Sequence, residues 1–156
     1  MSTSETLLIR ARDAGLRIAT AESCTAGLLA AEITQAAGSS DIFECGFVTY
    51  SNTAKQKMLG VKAATLAAHG AVSEEVAREM ADGARARAEV DIAIAITGIA
   101  GPGGSDHKPE GRVCFALARR GQKTQAQTRD FGALGRENVR RASMAHALDL
   151  LVDSIG

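Results

Sequence analysis

The run from Ile92 to Ile96 alternates isoleucine with alanine inside "VDIAIAIT" and carries no polar interruption. An apolar run of this length reads as a strand buried on both faces. "LRIATAE" has the same character, and "FECGFVTY" is a third stretch with strand composition. Helical periodicity separates these strands. Ser4 can cap a helix through "ETLLIRARDA" that ends at Gly15, and "AGLLAAEITQAA" (26–37) reads as a helix closed by Gly38. "SNTAKQKMLG" is a turn entering a short helix. "VSEEVAREMADGARARA" is amphipathic, with Ser73 at its cap and Glu74 and Glu75 in the first turn. After a glycine-rich loop, "GIAGPGGSDHKPEG", the segments "RVCFALAR" and "KTQAQTRDF" form a hairpin around Arg120 and Gly121. "ENVRRASMAHALDLLVDSI" closes the chain as a helix.

Helices alternating with strands, and a final antiparallel pair, predict an α/β fold. It is a three-layer α/β/α sandwich with a mixed, mostly parallel sheet, spanning residues 1–156 as one domain. Ligands in such sheets collect beyond the carboxyl ends of the strands. Three polar clusters fall there: Ser23-Cys24-Thr25, Tyr50-Ser51-Asn52 with Lys55, and Thr97 through Gly104.

Composition narrows the function. Eighteen basic and eighteen acidic residues cancel, so no global field recruits nucleic acid or a membrane surface. With no Trp and one Tyr, stacking platforms for single-stranded nucleic acid are missing as well. No apolar stretch approaches the roughly 18 residues of a membrane span, and Arg10, Arg12 and Asp13 break up the start, arguing against a signal peptide. Three widely spaced cysteines and three isolated histidines give neither a disulfide framework nor a metal site, and fit a cytoplasmic protein with free thiols. No cofactor is expected. An aromatic-poor sheet of this size leaves a homo-oligomer as one option.

The glycine loop "TGIAGPGGS" sets Gly98, Gly101, Gly103 and Gly104 around Pro102 directly after a buried strand. Glycines there can curl the backbone into a nest of N–H groups suited to phosphate or an oxyanion. Lys108 and Arg112 add positive charge nearby. It is neither a Walker loop nor a Gly-x-Gly-x-x-Gly fingerprint. Ser23, where a strand turns into a helix, would sit at a positive helix end whose N–H groups stabilise an oxyanion. Lys55 can act as its base if desolvation lowers its pKa, with Tyr50 as a proton relay. Cys24 is the rival nucleophile, although strand alternation points it toward the core. Thr25 serves as a helix cap or an oxyanion donor.

The segments "TAESCTAGLL", "GFVTYSNTAKQKMLGV", "GAVSEEVAREMADGA" and "TGIAGPGG", in this order, resemble the C-terminal domain of the CinA (competence/damage-inducible) family. That family includes nicotinamide-nucleotide amidases, which convert nicotinamide mononucleotide to nicotinate mononucleotide and ammonia, and the length is similar to the stand-alone amidase form. The resemblance implies Ser23 as nucleophile, activated by Tyr50 and Lys55. Thr25, Gly27, Ser51, Asn52 and Thr97 through Gly104 would line the substrate site, and Arg136 or Arg140 would lie near the phosphate. The family has two glycines after Ser-x-Thr, whereas this chain has Ala26 and then Gly27. A non-catalytic nucleotide-binding module and a competence-related accessory protein are the alternatives. Ammonia release and salt-dependent DNA binding distinguish them.

Overall fold

In β3 (Ile92–Gly98), the alternation of isoleucine and alanine sorts two cores onto the two faces of a sheet. Ile92, Ile94 and Ile96 point into a bulky core, while Ala93 and Ala95 point into one lined by small side chains. β1 (Ile18–Glu22) and β4 (Arg112–Arg119) follow the same rule, with Ile18, Val113 and Phe115 on the bulky side and Ala19, Ala21, Ala116 and Ala118 on the other. The computed structural model describes residues 1–105 and 107–156, so Asp106 of the glycine-rich loop lies outside the described residues.

The small-residue face lets a helix approach closely. α5 (Glu74–Ala88) lies on it through Ala77, Met80, Ala81 and Ala84. α3 (Asn52–Leu59) and α4 (Ala63–His69) pack on α5 from outside. At Gly83 a Cβ would overlap the backbone carbonyl of Leu59, so glycine is what allows α5 to touch the end of α3. α1 (Thr3–Ala14), α2 (Leu28–Ile33) and α6 (Arg136–Ser154) cover the bulky face.

With β2 (Phe43–Val48) and β5 (Gln125–Asp130), the sheet has the order β2-β1-β3-β4-β5. β1 runs parallel to both β2 and β3, whereas β4 is antiparallel to β3 and β5. This is the expected three-layer α/β/α sandwich with a mixed sheet. Glu22 stands opposite both Val48 and Ile96, so the three parallel strands finish level with one another. Among the described residues no helix is long and apolar enough to cross a membrane.

Three local readings change. α1 is capped by Ser2, whose Oγ accepts from Glu5 N at 3.2 Å while Glu5 Oε2 accepts from Ser2 N at 2.8 Å; Ser4 is buried in the first turn. The helix expected over 26–37 is only Leu28–Ile33, because Ala26 and Gly27 take φ of 46° and 101° and hold residues 23–27 in a turn. Gly38 caps a single 3₁₀ turn, Ser39–Asp41. α4 has no fully buried residue and so offers no apolar stripe to read.

Candidate active site

The level ends of β1, β2 and β3 open into a cavity of about 320 Å³. Ser23, Cys24, Tyr50, Asn52, Lys55, Thr97 and Arg136 line it, together with residues 98–105. Ser23 directly follows β1, and its amide donates to Ile96 O at 3.0 Å, which extends the ladder by one residue and fixes the serine. It is 7% exposed.

Lys55 comes from α3. Ser51 caps that helix by accepting from Ala54 N at 3.0 Å, and the Lys55 side chain runs inward until it is 1% exposed. Its Nζ lies 3.0 Å from Ser23 Oγ, 3.1 Å from Thr49 O and 3.2 Å from Tyr50 O. No carboxylate pairs with it among the described residues, and burial lowers its pKa below the ordinary 10.5. A neutral amine has two N–H groups and one lone pair. If the two carbonyls take the N–H groups, the lone pair is left for the Ser23 hydroxyl proton.

The neighbouring thiol is different. Cys24 is 5% exposed within the bulky core, and burial pushes its pKa up to about 11. It stays a thiol near neutral pH, and Lys55 Nζ contacts Ser23 Oγ rather than the Cys24 sulfur.

Other expected site residues take up altered places. The Tyr50 hydroxyl is exposed and accepts from Arg136 Nη2 at 2.8 Å; only the Tyr50 carbonyl meets Lys55, so a tyrosine relay is not the arrangement found. Arg136 also donates to Gly101 O at 2.7 Å and thereby spans the cavity mouth. Arg140 stands off the cavity wall and donates to Cys24 O at 3.0 Å and Thr25 O at 3.3 Å. Thr25 is buried, with its hydroxyl turned to Glu22, and Gly27 caps α2 away from the cavity. Ala26 is not in a helical turn but in the left-handed region. Asn52, Thr97, Gly98, Gly101, Pro102, Gly103 and Gly104 do line the wall. The Thr97 hydroxyl, however, donates to Ala71 O at 2.8 Å, and Ser51 serves α3.

One amide of the glycine loop already has a carboxylate partner. Gly103 N donates to Glu110 Oε1 at 2.5 Å, and the Glu110 carboxylate fills the space where Gly101 would carry a Cβ. Glu110 itself does not line the cavity. Lys108 is committed to His69 O and Val72 O, and Arg112 to Asp130. Arg136 is therefore the cation at the mouth.

Glu22 is the residue that sequence reasoning missed. Its carboxylate, 1% exposed, ties down the turn behind Ser23. The signal was present as an acidic side chain ending an otherwise apolar strand, since an acid is almost never fully buried without partners.

Fold and site together define an α/β/α domain with a buried serine–lysine pair at the carboxyl ends of its parallel strands. The chain belongs to the CinA C-terminal domain family, whose model matches residues 1–155. A CinA-like protein of Mycolicibacterium paratuberculosis (strain ATCC BAA-968 / K-10) is 54% identical over 142 residues, 88% of this chain and 33% of that protein. The chain thus spans about a third of the length of the CinA-like relatives it matches. The protein named nicotinamide-nucleotide amidohydrolase PncC of Escherichia coli (strain K12) is 52% identical over 138 residues, 88% of this chain and 83% of that protein. Among solved structures, competence/damage inducible protein CihA from Agrobacterium tumefaciens matches with a TM-score of 0.90 at 43% identity, covering 98% of this chain and 96% of that one. The competence or damage-inducible protein from Enterobacter asburiae matches with a TM-score of 0.94 at 36% identity, covering 99% and 96%.

Proposed function

We propose that this protein is a nicotinamide-nucleotide amidohydrolase that releases ammonia from the carboxamide of nicotinamide mononucleotide. The observation that carries the reaction type is the 3.0 Å contact between Lys55 Nζ and Ser23 Oγ, two side chains almost fully buried at the floor of the cavity. The substrate rests on the 52% identity to the relative of that name.

Ser23 Oγ attacks the carboxamide carbon while its proton passes to the Lys55 lone pair. The Cys24 amide, which has no acceptor outside its own residue among the described residues, receives the developing oxyanion. Protonated Lys55 then delivers its proton to the departing nitrogen, and ammonia leaves. Water attacks the resulting ester, gives a proton to Lys55, and the acid product separates as Ser23 regains its hydroxyl. Both half-reactions use the same base, which suits an amine whose pKa burial has moved toward neutrality. Arg136 exchanges its contacts to Tyr50 and Gly101 for the substrate phosphate, converting remote binding energy into orientation at the carbonyl.

The test is ammonia release from nicotinamide mononucleotide by the purified protein, with nicotinate mononucleotide identified by chromatography. Stoichiometric appearance of both products supports the proposal. Nucleotide binding without ammonia would favour a non-catalytic module.

A further inference from the structure

A buried carboxylate and a guanidinium grip opposite sides of the turn that carries Ser23. Glu22 has no cation paired to it among the described residues, although it is 1% exposed. Three donors satisfy it instead. Thr25 Oγ1 donates to Oε1 at 2.7 Å, Leu29 N to Oε1 at 2.9 Å and Ala30 N to Oε2 at 3.0 Å. The two amides are orphan donors at the start of α2, which has no side-chain cap of its own. On the carbonyl side, Arg140 reaches from α6 to Cys24 O and Thr25 O.

The turn needs such a grip. Ala26, a non-glycine residue, is held at a φ of 46°, and a conformation of this kind persists only where its surroundings over-determine it. With the Thr25 hydroxyl and both carbonyls engaged, the Thr25 amide has no protein acceptor among the described residues, and the Cys24 amide none outside its own residue. Cys24 lies on the cavity wall beside Ser23.

We infer that Glu22 and Arg140 are positioning residues that hold the Ser23–Gly27 turn so that the Cys24 amide meets the oxyanion formed at Ser23. The inference rests on Ser23 being the nucleophile and not on the identity of the substrate. Neither residue touches the reacting atoms. Each sets where an amide donor stands, and an error of about 1 Å in such a donor costs about 10²-fold in rate.

The test uses an alkyl fluorophosphonate, which reads the serine without the nucleotide. Ser23 Oγ bonds to phosphorus, the P–F bond breaks, fluoride leaves, and the hydroxyl proton passes to Lys55, while the phosphoryl oxygen occupies the oxyanion position. Labelling rates are followed by intact mass, with the site mapped on the peptide. Glu22→Gln keeps the size of the side chain but presents an NH₂ to one of the three donors. We expect labelling to slow about 10²-fold while the midpoint of its rise with pH, set by Lys55, is unchanged. Arg140→Met should act in the same direction. If Glu22→Gln does not fold, Thr25→Val decides the matter: it should slow labelling, and Thr25→Ser, which retains the hydroxyl, should recover most of the rate. Folded variants that melt earlier yet label at the wild-type rate would make the grip purely structural and overturn the inference. A wild-type chain labelled at Ser23 but inert toward nicotinamide mononucleotide removes the substrate assignment alone. A wild-type chain unlabelled at Ser23 removes the nucleophile and the inference with it.

Discussion

Replacing Lys55 by arginine keeps a positive side chain and removes the base. In the native site Nζ contacts three oxygens within 3.2 Å, is 1% exposed and faces no carboxylate, so the neutral amine is favoured. Arginine has no accessible neutral form, because its pKa is about 12 or higher. It can donate to the same carbonyls but cannot take the Ser23 proton. Loss of a general base costs about 10²- to 10⁴-fold, or about 2.7 to 5.4 kcal/mol on the barrier. The loss should fall on kcat, with KM little changed, because Lys55 lies beneath the nucleophile. The assay is ammonia release across pH 6 to 11.5, with circular dichroism at each pH as the folding control. The wild-type rate should rise with pH as Lys55 loses its proton, and should level off at a midpoint below 10.5. Lys55→Arg should lack that limb. A variant that stays within tenfold of wild type, or a wild-type midpoint at the ordinary lysine value, would refute the reasoning.

Tyr50→Phe should lower kcat by less than about tenfold, since the hydroxyl meets Arg136 and not the Ser23–Lys55 pair; a loss of 10² or more in kcat would restore the relay. Gly83→Ala forces a Cβ into the Leu59 carbonyl at the end of the helix that carries Lys55. It should destabilise the protein by about 1–3 kcal/mol in thermal melts and also depress kcat, whereas an unchanged Tm would mean that α5 and α3 are not in the contact described. Arg136→Met should raise KM for nicotinamide mononucleotide about tenfold, discounted for the exposure of the site, and should leave the reaction of nicotinamide riboside, which lacks the phosphate, nearly unaffected. Equal losses on both substrates would dissociate Arg136 from the phosphate.

The strands were legible because burial on both faces writes itself as unbroken apolar runs, and the Ile/Ala alternation of β3 even assigns the two cores. Ser23 and Lys55 were also legible, each at a strand end or just past a serine cap. The turn at Ala26 was not. "AGLLAAEITQAA" has every local reason to be helical, and what overrides it comes from Arg140, 115 and 116 residues away in the chain from its two acceptors, and from the buried Glu22. The glycine loop lines the cavity as its sequence suggests, but one of its contacts was not legible. The Gly103 amide is taken by Glu110, only seven residues further along the chain. Tyr50 was assigned by proximity in sequence to Lys55, and side-chain direction separates them: the lysine turns into the core and the tyrosine toward solvent.

In the proposed reaction Ser23, and not the adjacent thiol, attacks the amide. This assignment is tested most directly by kcat for ammonia release from nicotinamide mononucleotide in Ser23→Ala and Cys24→Ala, side by side with wild type and with melting curves for each. Ser23→Ala should fall to the no-enzyme background with its fold intact, while Cys24→Ala should keep most of the rate, because Lys55 Nζ contacts the Ser23 hydroxyl at 3.0 Å and not the thiol. Turnover surviving in Ser23→Ala and lost in folded Cys24→Ala would contradict the assignment.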